Sequence, residues 1–412
     1  MRGRRPIVTT AALGAAALVL AACGGSSSGA APGTGGASGS ASSGGGAAAQ
    51  PPSVPMADAV GDGEGQLNLI AWAGYAEDGS TDKTVDWVTP FEKASGCQVN
   101  VKIGNTSDEM VTLMKTGQYD GVSASGDASL RLIYGGDVAP VNTALVPNYA
   151  DIVPFLKDRP WNSVGGQMYG VPHGWGANIL VWNKKVVTTP PDSWGAVFDP
   201  ASPYKGKVSA YDSPIYIADA ALYLKATKPE LKITNPYELD DAQFTAAVDL
   251  LKAQRGIVGE YWSDYTKATA SLESGNTVLT TSWQVIANLV ASGKKADLGQ
   301  IVPKEGATGW SDTWMVAAKA QHPNCMYKWM DWIASPQTQA SVAEWFGEAP
   351  ANTKACTLTS DKGHCDTYHA ADQAYADQIS YWTTPLKNCG DERGNVCKDY
   401  SEWTQAWTEI KG

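Results

Sequence analysis

The chain has 412 residues, which exceeds one typical domain and predicts two folded lobes. Its formal net charge of −11 argues against nucleic acid as a partner, because binding to phosphate needs basic patches. The acidity fits a cationic ligand, and it also fits plain solubility.

The first 22 residues have the features of a bacterial lipoprotein signal peptide. Three arginines precede residues 7–22, an uncharged apolar run that is too short for an ordinary membrane-spanning helix. The run ends in Leu20-Ala21-Ala22-Cys23, which resembles a lipobox and implies cleavage before Cys23 and a diacylglycerol on its sulfur. An ordinary secretory signal with an incidental cysteine is the alternative. Either way we expect an exported chain, and a lipid on Cys23 would hold it at the outer face of the cytoplasmic membrane or in the periplasm.

Residues 23–65 are rich in Gly, Ala, Ser and Pro and carry almost no large side chains. Such a segment cannot bury enough apolar surface to fold, so it predicts a flexible tether. Its ~40 residues would span roughly 35 Å as a random coil.

Seven cysteines minus the lipidated one leave six, and an even number in an exported chain predicts disulfides. The favoured pairs are Cys356–Cys365 and Cys389–Cys397, which flank short loops, leaving Cys97 with Cys325. A zinc site with His364, Cys365 and His369 as ligands is the alternative, and we predict no metal.

The folded part begins with a strand at residues 66–71, followed by a helical pattern that contains Pro90 and therefore predicts a kink or a late start. Strands and helices then alternate as far as a helix at residues 127–134. This alternation predicts an α/β lobe with a largely parallel sheet, whose ligands bind in loops beyond the carboxyl ends of the strands. Four candidate residues fall in such loops: Trp72, Tyr75, Ser125 and Asp127.

A second α/β set follows. A Gly-rich segment, residues 169–176, precedes a predicted strand at 179–182, and another strand at 208–211 leads to Asp212 and a helix. A strand at 277–281 ends on Ser282-Trp283. The C-terminal tail predicts a helix whose tryptophans belong to the core.

The stretch Gly309-Trp310-Ser311-Asp312-Thr313-Trp314 places one carboxylate between two indoles, before the apolar residues 315–318. Alone, it predicts a turn with an N-capping Asp and two core tryptophans. The alternative is an ammonium site, because aromatic faces attract cations and exclude water.

In this order the segments resemble the bacterial spermidine/putrescine-binding proteins, which are solute-binding components of ABC importers. The resemblance covers residues 66–355, and more loosely the rest. Its motifs are Leu69-Ile70-Ala71-Trp72-Ala73-Gly74-Tyr75, Phe91-Glu92-Lys93, Tyr119-Asp120, Tyr169-Gly170-Val171-Pro172, Trp175-Gly176-Ala177, Ser193-Trp194, Tyr204-Lys205-Gly206, Ser282-Trp283, Trp310-Ser311-Asp312 and Ala349-Pro350-Ala351-Asn352.

The resemblance implies an α/β, two-lobed, periplasmic-binding-protein-like (type II) fold with a ligand cleft between the lobes. One lobe would comprise residues 66–175 and 310–355, and the other 176–309 and 356–412. Cys97 and Cys325 would then share a lobe, which supports their pairing.

The same resemblance implies a set of ligand-binding residues: Trp72, Tyr75, Ser125, Asp127, Trp175, Asp212, Trp283, Trp310, Asp312 and Glu348. The chain departs from the family pattern at several of these positions and near others. Gly74 and Tyr216 stand where the family has acids, Asp127 stands where an aromatic residue is usual, and Glu348 replaces a tyrosine. Asp312 would therefore carry more of the charge pairing.

The expectation is a monomeric, lipid-anchored binding protein that captures a polyamine or a similar organic cation for a membrane permease. We expect no enzymatic activity and no cofactor. Alternatives on the same fold are an opine-like amino compound, a phosphonate or a sugar. Ferric iron is disfavoured, because its capture in this superfamily tends to use adjacent tyrosines and the sequence has no Tyr-Tyr pair. An exported glycoside hydrolase with a pair of carboxylates is the alternative from another class.

Overall fold

The structure is a computed structural model that describes residues 50–412. The predicted signal peptide, Cys23 and most of the predicted tether lie outside the described residues. Within the described part, none of the helices combines the length and the apolar character needed to cross a membrane.

The chain forms thirteen strands in the described part. They are β1 Gln66–Ala71, β2 Gln98–Ile103, β3 Gly121–Ala124, β4 Ser163–Val164, β5 Gln167–Met168, β6 Val171–Asn183, β7 Val208–Tyr211, β8 Val258–Trp262, β9 Leu279–Trp283, β10 Leu298–Ile301, β11 Ala307–Val316, β12 Ala349–Pro350 and β13 Ile379–Tyr381.

Thirteen α-helices accompany these strands in the same part of the chain. They are α1 Val88–Ser95, α2 Ser107–Met114, α3 Gly126–Gly135, α4 Gly195–Phe198, α5 Ile217–Thr227, α6 Asp241–Gln254, α7 Tyr265–Ser274, α8 Gln284–Ser292, α9 Pro323–Ile333, α10 Pro336–Phe346, α11 His364–Thr367, α12 Gln373–Ala376 and α13 Tyr400–Lys411. Short 3₁₀ helices occupy Thr143–Leu145, Pro147–Asp151, Pro154–Leu156, Pro214–Tyr216, Pro229–Leu231 and Thr353–Thr357.

The main sheet has the strand order β2-β1-β3-β11-β6-β9-β7-β8. At one end, β1 runs parallel to β2 and β3; at the other, β7 runs parallel to β8 and β9. The long strands β6 and β11 lie between these two parallel groups and pair antiparallel. The sheet therefore has two parallel halves, which we name by their strands, β1–β3 and β7–β9.

The predicted order of the first half is confirmed as β1-α1-β2-α2-β3-α3. The helix that contains Pro90 starts late, at Val88, so that the proline lies in the first turn, where its missing N–H is tolerated. The tail helix α13 buries Trp403, Trp407 and Ile410, as predicted.

The turn predicted for residues 309–314 is wrong. These residues form the middle of β11, and every residue of this strand is buried between β3 and β6. Asp312 therefore caps no helix. Polar residues in the stretch favour a turn locally, but pairing with two neighbouring strands overrides that preference.

The Gly-rich segment before residue 179 is also part of a strand, since β6 begins at Val171. Glycine disfavours strands, but here it makes room for neighbouring side chains. A Cβ atom on Gly176 would lie 2.8 Å from the indole of Trp310, and one on Gly174 would lie 2.3 Å from the carboxyl carbon of Glu348.

The end of the predicted tether, residues 50–65, contacts the folded body. Val54, Ala57 and Val60 pack against the hydrophobic core. The carboxylate of Glu64 accepts hydrogen bonds from the backbone N–H groups of Asn324 and Cys325, both at 2.9 Å, at the N-terminus of α9. A carboxylate at this position satisfies N–H groups that have no partner within the helix.

The structure contains the three disulfides predicted from the sequence. Cys97–Cys325 joins positions 228 residues apart, whereas Cys356–Cys365 and Cys389–Cys397 close loops of 9 and 8 residues. Because Cys365 is bonded to Cys356, its thiolate is not available to the alternative zinc site.

We expect the double substitution Cys97→Ser, Cys325→Ser to lower the free energy of unfolding by about 5 kcal/mol, because this bridge restricts a long loop in the unfolded chain. The matched control is Cys389→Ser, Cys397→Ser, which opens a short loop and should cost about 2–3 kcal/mol. Both bridges are fully buried, so loss of packing is comparable. Urea unfolding followed by circular dichroism would measure both changes, and equal losses would contradict the prediction.

Candidate functional site

A cavity of about 300 Å³ lies between the two halves of the sheet. Its volume is at the small end of the range of about 300–1,000 Å³ that is usual for small-molecule sites. The residues that line it are Trp72, Ala73, Gly104, Asn105, Ser125, Ser263, Asp264, Tyr265, Thr266, Trp283, Trp310, Asp312, Phe346 and Trp382.

Most of these residues lie at the carboxyl ends of parallel strands from both halves. Trp72 follows β1, Asn105 follows β2 and Ser125 follows β3, while Asp264 follows β8 and Trp283 ends β9. Such ends are where α/β sheets bind ligands, since the loops there can vary without disturbing the sheet. The cavity thus lies where this topology predicts a binding site.

Six of the fourteen described residues that line the cavity are aromatic, and the rings of Trp382 and Trp283 pack against aromatic rings behind the wall. The ring of Trp382 stacks on Tyr211 with centroids 5.6 Å apart and planes 9° from parallel. The ring of Trp283 contacts both Tyr211 and Trp262. Because these contacts hold the indoles in place, the wall offers fixed π faces that can attract a cation.

Asp312 supplies a buried carboxylate at the inner side of the cavity, where it is 4% exposed. The hydroxyl of Ser125 donates to its Oδ1 atom, and the hydroxyl of Tyr75 lies 2.7 Å from its Oδ2 atom. Burial raises the pKa of Asp312 to about 7, although these two hydrogen bonds act in the opposite direction. Near neutral pH this carboxyl group therefore exchanges readily between its neutral and charged forms.

A second buried carboxyl group, Glu348, shares the Tyr75 hydroxyl at 3.0 Å. Burial, and then the proximity of Asp312, raise the pKa of Glu348 well above its usual value. Tyr75 has a single proton and can donate it to only one of the two groups. The proton on Glu348 therefore completes the second hydrogen bond, and Asp312 is the carboxyl that can become charged.

His173 lies behind Glu348 and is fully buried. Burial lowers its pKa to about 3, so its imidazole is neutral. The indole N–H of Trp314 donates to Nδ1 at 3.1 Å, which leaves the proton on Nε2, 3.5 Å from Glu348. The acid cluster thus has no positive partner on this side.

The cavity is negative overall. Of the described residues that line it, two are acidic, Asp312 and Asp264, and none is Lys or Arg. Hydrogen bonds from the Thr266 side chain and backbone hold the pKa of Asp264 below its usual value. A ligand that replaces water here is therefore favoured if it carries positive charge.

The structure brings together seven of the ten side chains that the resemblance indicated. Trp72, Ser125, Trp283, Trp310 and Asp312 line the cavity, and Tyr75 and Glu348 support Asp312 from behind.

The other three lie elsewhere. The carboxylate of Asp212 accepts hydrogen bonds from Trp407 and Lys411 of the tail helix, at 2.9 and 2.6 Å. Asp127 is buried and accepts a hydrogen bond from Ser107, and Trp175 is buried against Phe155. None of the three lines the cavity.

Sequence reasoning missed Asp264, Trp382 and Phe346. Asp264 follows β8, a strand that the sequence analysis did not predict, and its place in the cavity comes from the pairing of β8 with β7. Trp382 had no local signal, since its place depends on the pairing of β13 with β11 across a long sequence separation.

Comparison with known proteins assigns the chain to a family. Residues 86–367, more than half of the chain, match the bacterial extracellular solute-binding proteins. The chain belongs to this family. The solute-binding chain is 23% identical over 362 residues to the putrescine/cadaverine-binding protein of Pseudomonas aeruginosa, covering 84% of this chain and 93% of that protein. It is 25% identical over 308 residues to the spermidine/putrescine-binding periplasmic protein of Escherichia coli, covering 72% of this chain and 84% of the relative.

Solved structures support the fold. A putative spermidine/putrescine ABC transporter protein from Listeria monocytogenes superposes with a TM-score of 0.69 at 19% identity, covering 84% of this solute-binding chain and 99% of that one. The predicted two-lobed, periplasmic-binding-protein-like fold class is confirmed. The residue bounds of the two lobes stay a prediction.

Proposed function

We propose that this solute-binding protein captures a small organic cation of the polyamine class and delivers it to the permease of an ABC importer. The observation that carries the proposal is the buried carboxylate of Asp312 inside an aromatic cavity that has no Lys or Arg among its described lining residues. The binding proteins of P. aeruginosa and E. coli that resemble this chain are named for putrescine, cadaverine and spermidine, which supports the ligand class.

The chemistry follows from the charge on Asp312. A buried carboxylate without a positive partner is costly, so the unliganded site is stabilised by its hydrogen bonds and by partial protonation. An ammonium group would take the place of that proton and form a charge-assisted hydrogen bond. Trp72, Trp283 and Trp310 would contact the methylene chain and contribute cation–π attraction.

The proposal also covers the oligomeric state of the protein, its lack of enzymatic activity and its location in the cell. We propose that the protein acts as a monomer without enzymatic activity, and that a lipid on Cys23 holds it at the outer face of the cytoplasmic membrane or in the periplasm. Family membership supports an extracellular or periplasmic location. Mass spectrometry of the N-terminal peptide from native membranes should show Cys23 as the first residue with acyl chains, and an unmodified N-terminus would overturn the anchor.

Isothermal titration tests the ligand class. We expect heat of binding with putrescine, spermidine or a choline-like cation and none with a neutral sugar. Asp312→Asn should weaken cation binding by about 2 kcal/mol or more, roughly 30-fold, because it removes the charge that pairs with a buried ammonium. Asp212→Asn is the control, since Asp212 pairs with Lys411 away from the cavity. Binding of the sugar alone, or equal effects of both variants, would contradict the proposal.

Cation affinity should also fall as the pH falls. Protonation of Asp312, whose pKa is about 7, removes its charge, so the dissociation constant should rise by up to about tenfold for each pH unit below 7. Asp264 stays ionised and His173 stays neutral between pH 5 and 8, so neither masks the effect. Buried Asp127 does titrate in this range, because burial raises its pKa to about 6. Titrations across this range should therefore show a steep profile for the wild type and a much shallower one for Asp312→Asn, in which only the contribution of Asp127 remains. A flat wild-type profile, with circular dichroism unchanged, would show that Asp312 does not control binding.

A further inference from the structure

The loop closed by Cys356–Cys365 differs from the other two disulfide loops in its exposure. Both of its cysteines are half-buried, whereas the four cysteines of the other two bridges are fully buried. A thiol reduces a disulfide by attacking one of its sulfur atoms, so the bridges that solvent reaches are the ones most readily reduced. Of the three bridges in the described part of the chain, this one is therefore the first that a soluble thiol can reduce.

His364, next to Cys365, connects this loop to the acid cluster behind the cavity. Its side chain is 4% exposed, and its Nε2 atom lies 2.8 Å from the backbone carbonyl oxygen of Glu348. Because a carbonyl oxygen only accepts, Nε2 carries a proton and donates it. The carboxyl group of Glu348 shares the Tyr75 hydroxyl with Asp312. His364 therefore holds the backbone of a residue that helps to order the Asp312 carboxylate.

Tyr368, one helical turn further on, connects the same loop to two segments of the cavity wall. Its hydroxyl accepts a hydrogen bond from Asn288 of α8 at 2.7 Å. The same hydroxyl would lie 2.8 Å from a Cβ atom on Gly347, so it packs against the backbone there. Trp283 directly precedes α8 and Phe346 directly precedes Gly347, and both line the cavity. The residues just after the disulfide thus join the segments that position two wall residues.

The disulfide attaches these residues covalently to the body of the protein. Cys356 lies in the 3₁₀ helix Thr353–Thr357, whose N-cap Asn352 is fully buried. Between the two cysteines, the carboxylate of Glu344 accepts two backbone hydrogen bonds, at 2.9 and 2.7 Å, and holds the middle of the loop. Reduction therefore leaves the loop partly held and removes the covalent restraint on the residues around Cys365.

We propose that the Cys356–Cys365 disulfide controls how tightly the cavity binds its cation. This inference rests on the proposed capture of an organic cation and adds a redox control to it. A dithiol would reduce the bridge by thiol–disulfide exchange: its thiolate attacks one sulfur, a mixed disulfide forms, and its second thiol displaces the other sulfur. The dithiol ends as a disulfide, and the protein gains two electrons and two protons as two thiols. Glu348 and Trp283 would then lose part of their support, and the affinity would fall.

Titration of the full folded protein with dithiothreitol tests this control. Alkylation with iodoacetamide followed by mass spectrometry should show labels on Cys356 and Cys365 before the four buried cysteines. With these two cysteines reduced, titration calorimetry should show putrescine bound about fivefold or more weakly, at the lower end of the usual coupling between two sites. Reoxidation should restore the affinity, and the circular dichroism spectrum should stay unchanged, which shows that the loss is not unfolding.

Matched double variants separate the outcomes. Cys356→Ser, Cys365→Ser should bind putrescine about fivefold or more weakly and no longer respond to dithiothreitol. Cys389→Ser, Cys397→Ser opens a loop of similar length, 8 residues against 9, whose cysteines do not line the cavity, and it should keep the wild-type affinity. If the oxidised wild type binds no cation, the proposed function itself fails. If it binds but reduction of Cys356–Cys365 leaves the affinity unchanged, or both double variants weaken binding equally, control by this disulfide is overturned while the cation site stands.

Discussion

The pairing of β6 with β11 is the constraint on which the site depends. Its register places Trp310 opposite Gly176 and Asp312 opposite Gly174. The absence of side chains on these glycines lets an indole and the Glu348 carboxyl group lie directly against the β6 backbone. The same two strands join the parallel halves of the sheet. The strand β11 therefore carries Trp310 and Asp312, which form the floor of the cavity, and it also helps to connect the two halves whose loops form the cavity walls.

The side chains at the floor of the cavity and directly behind it have an unusual electrostatic state. Three acid or phenol groups, on Tyr75, Asp312 and Glu348, meet there, and the His173 imidazole beside them is neutral, so no positive charge from the described residues lies among them. Burial makes each of them hold its proton more tightly, which keeps the cluster nearly neutral. A site built in this way favours a ligand that brings its own positive charge, and it disfavours an anion, which would meet the carboxylates with no compensating partner.

Local signals predicted the first half of the fold, because alternation, proline and cap residues act over a few positions. The strands β6 and β11 were harder, since glycines and polar residues argue against strands until the pairing partner is known. The candidate site residues show the same contrast between local signals and contacts with distant parts of the chain. Asp312 was recognisable from its neighbouring tryptophans, whereas the role of Asp212 is set by Lys411, 199 positions further along the chain. No local pattern could have revealed that ion pair.

The contact of Glu64 with the start of α9 has a mechanical consequence. A force applied to the chain at residue 50 acts on the packed segment 50–65 before it acts on β1, and the hydrogen bonds of Glu64 transmit part of it to α9. The Cys97–Cys325 disulfide transmits the force from α9 to Cys97, the residue before β2. The force is therefore transmitted to the half that contains β1–β3, and not to the loop that carries Asp264.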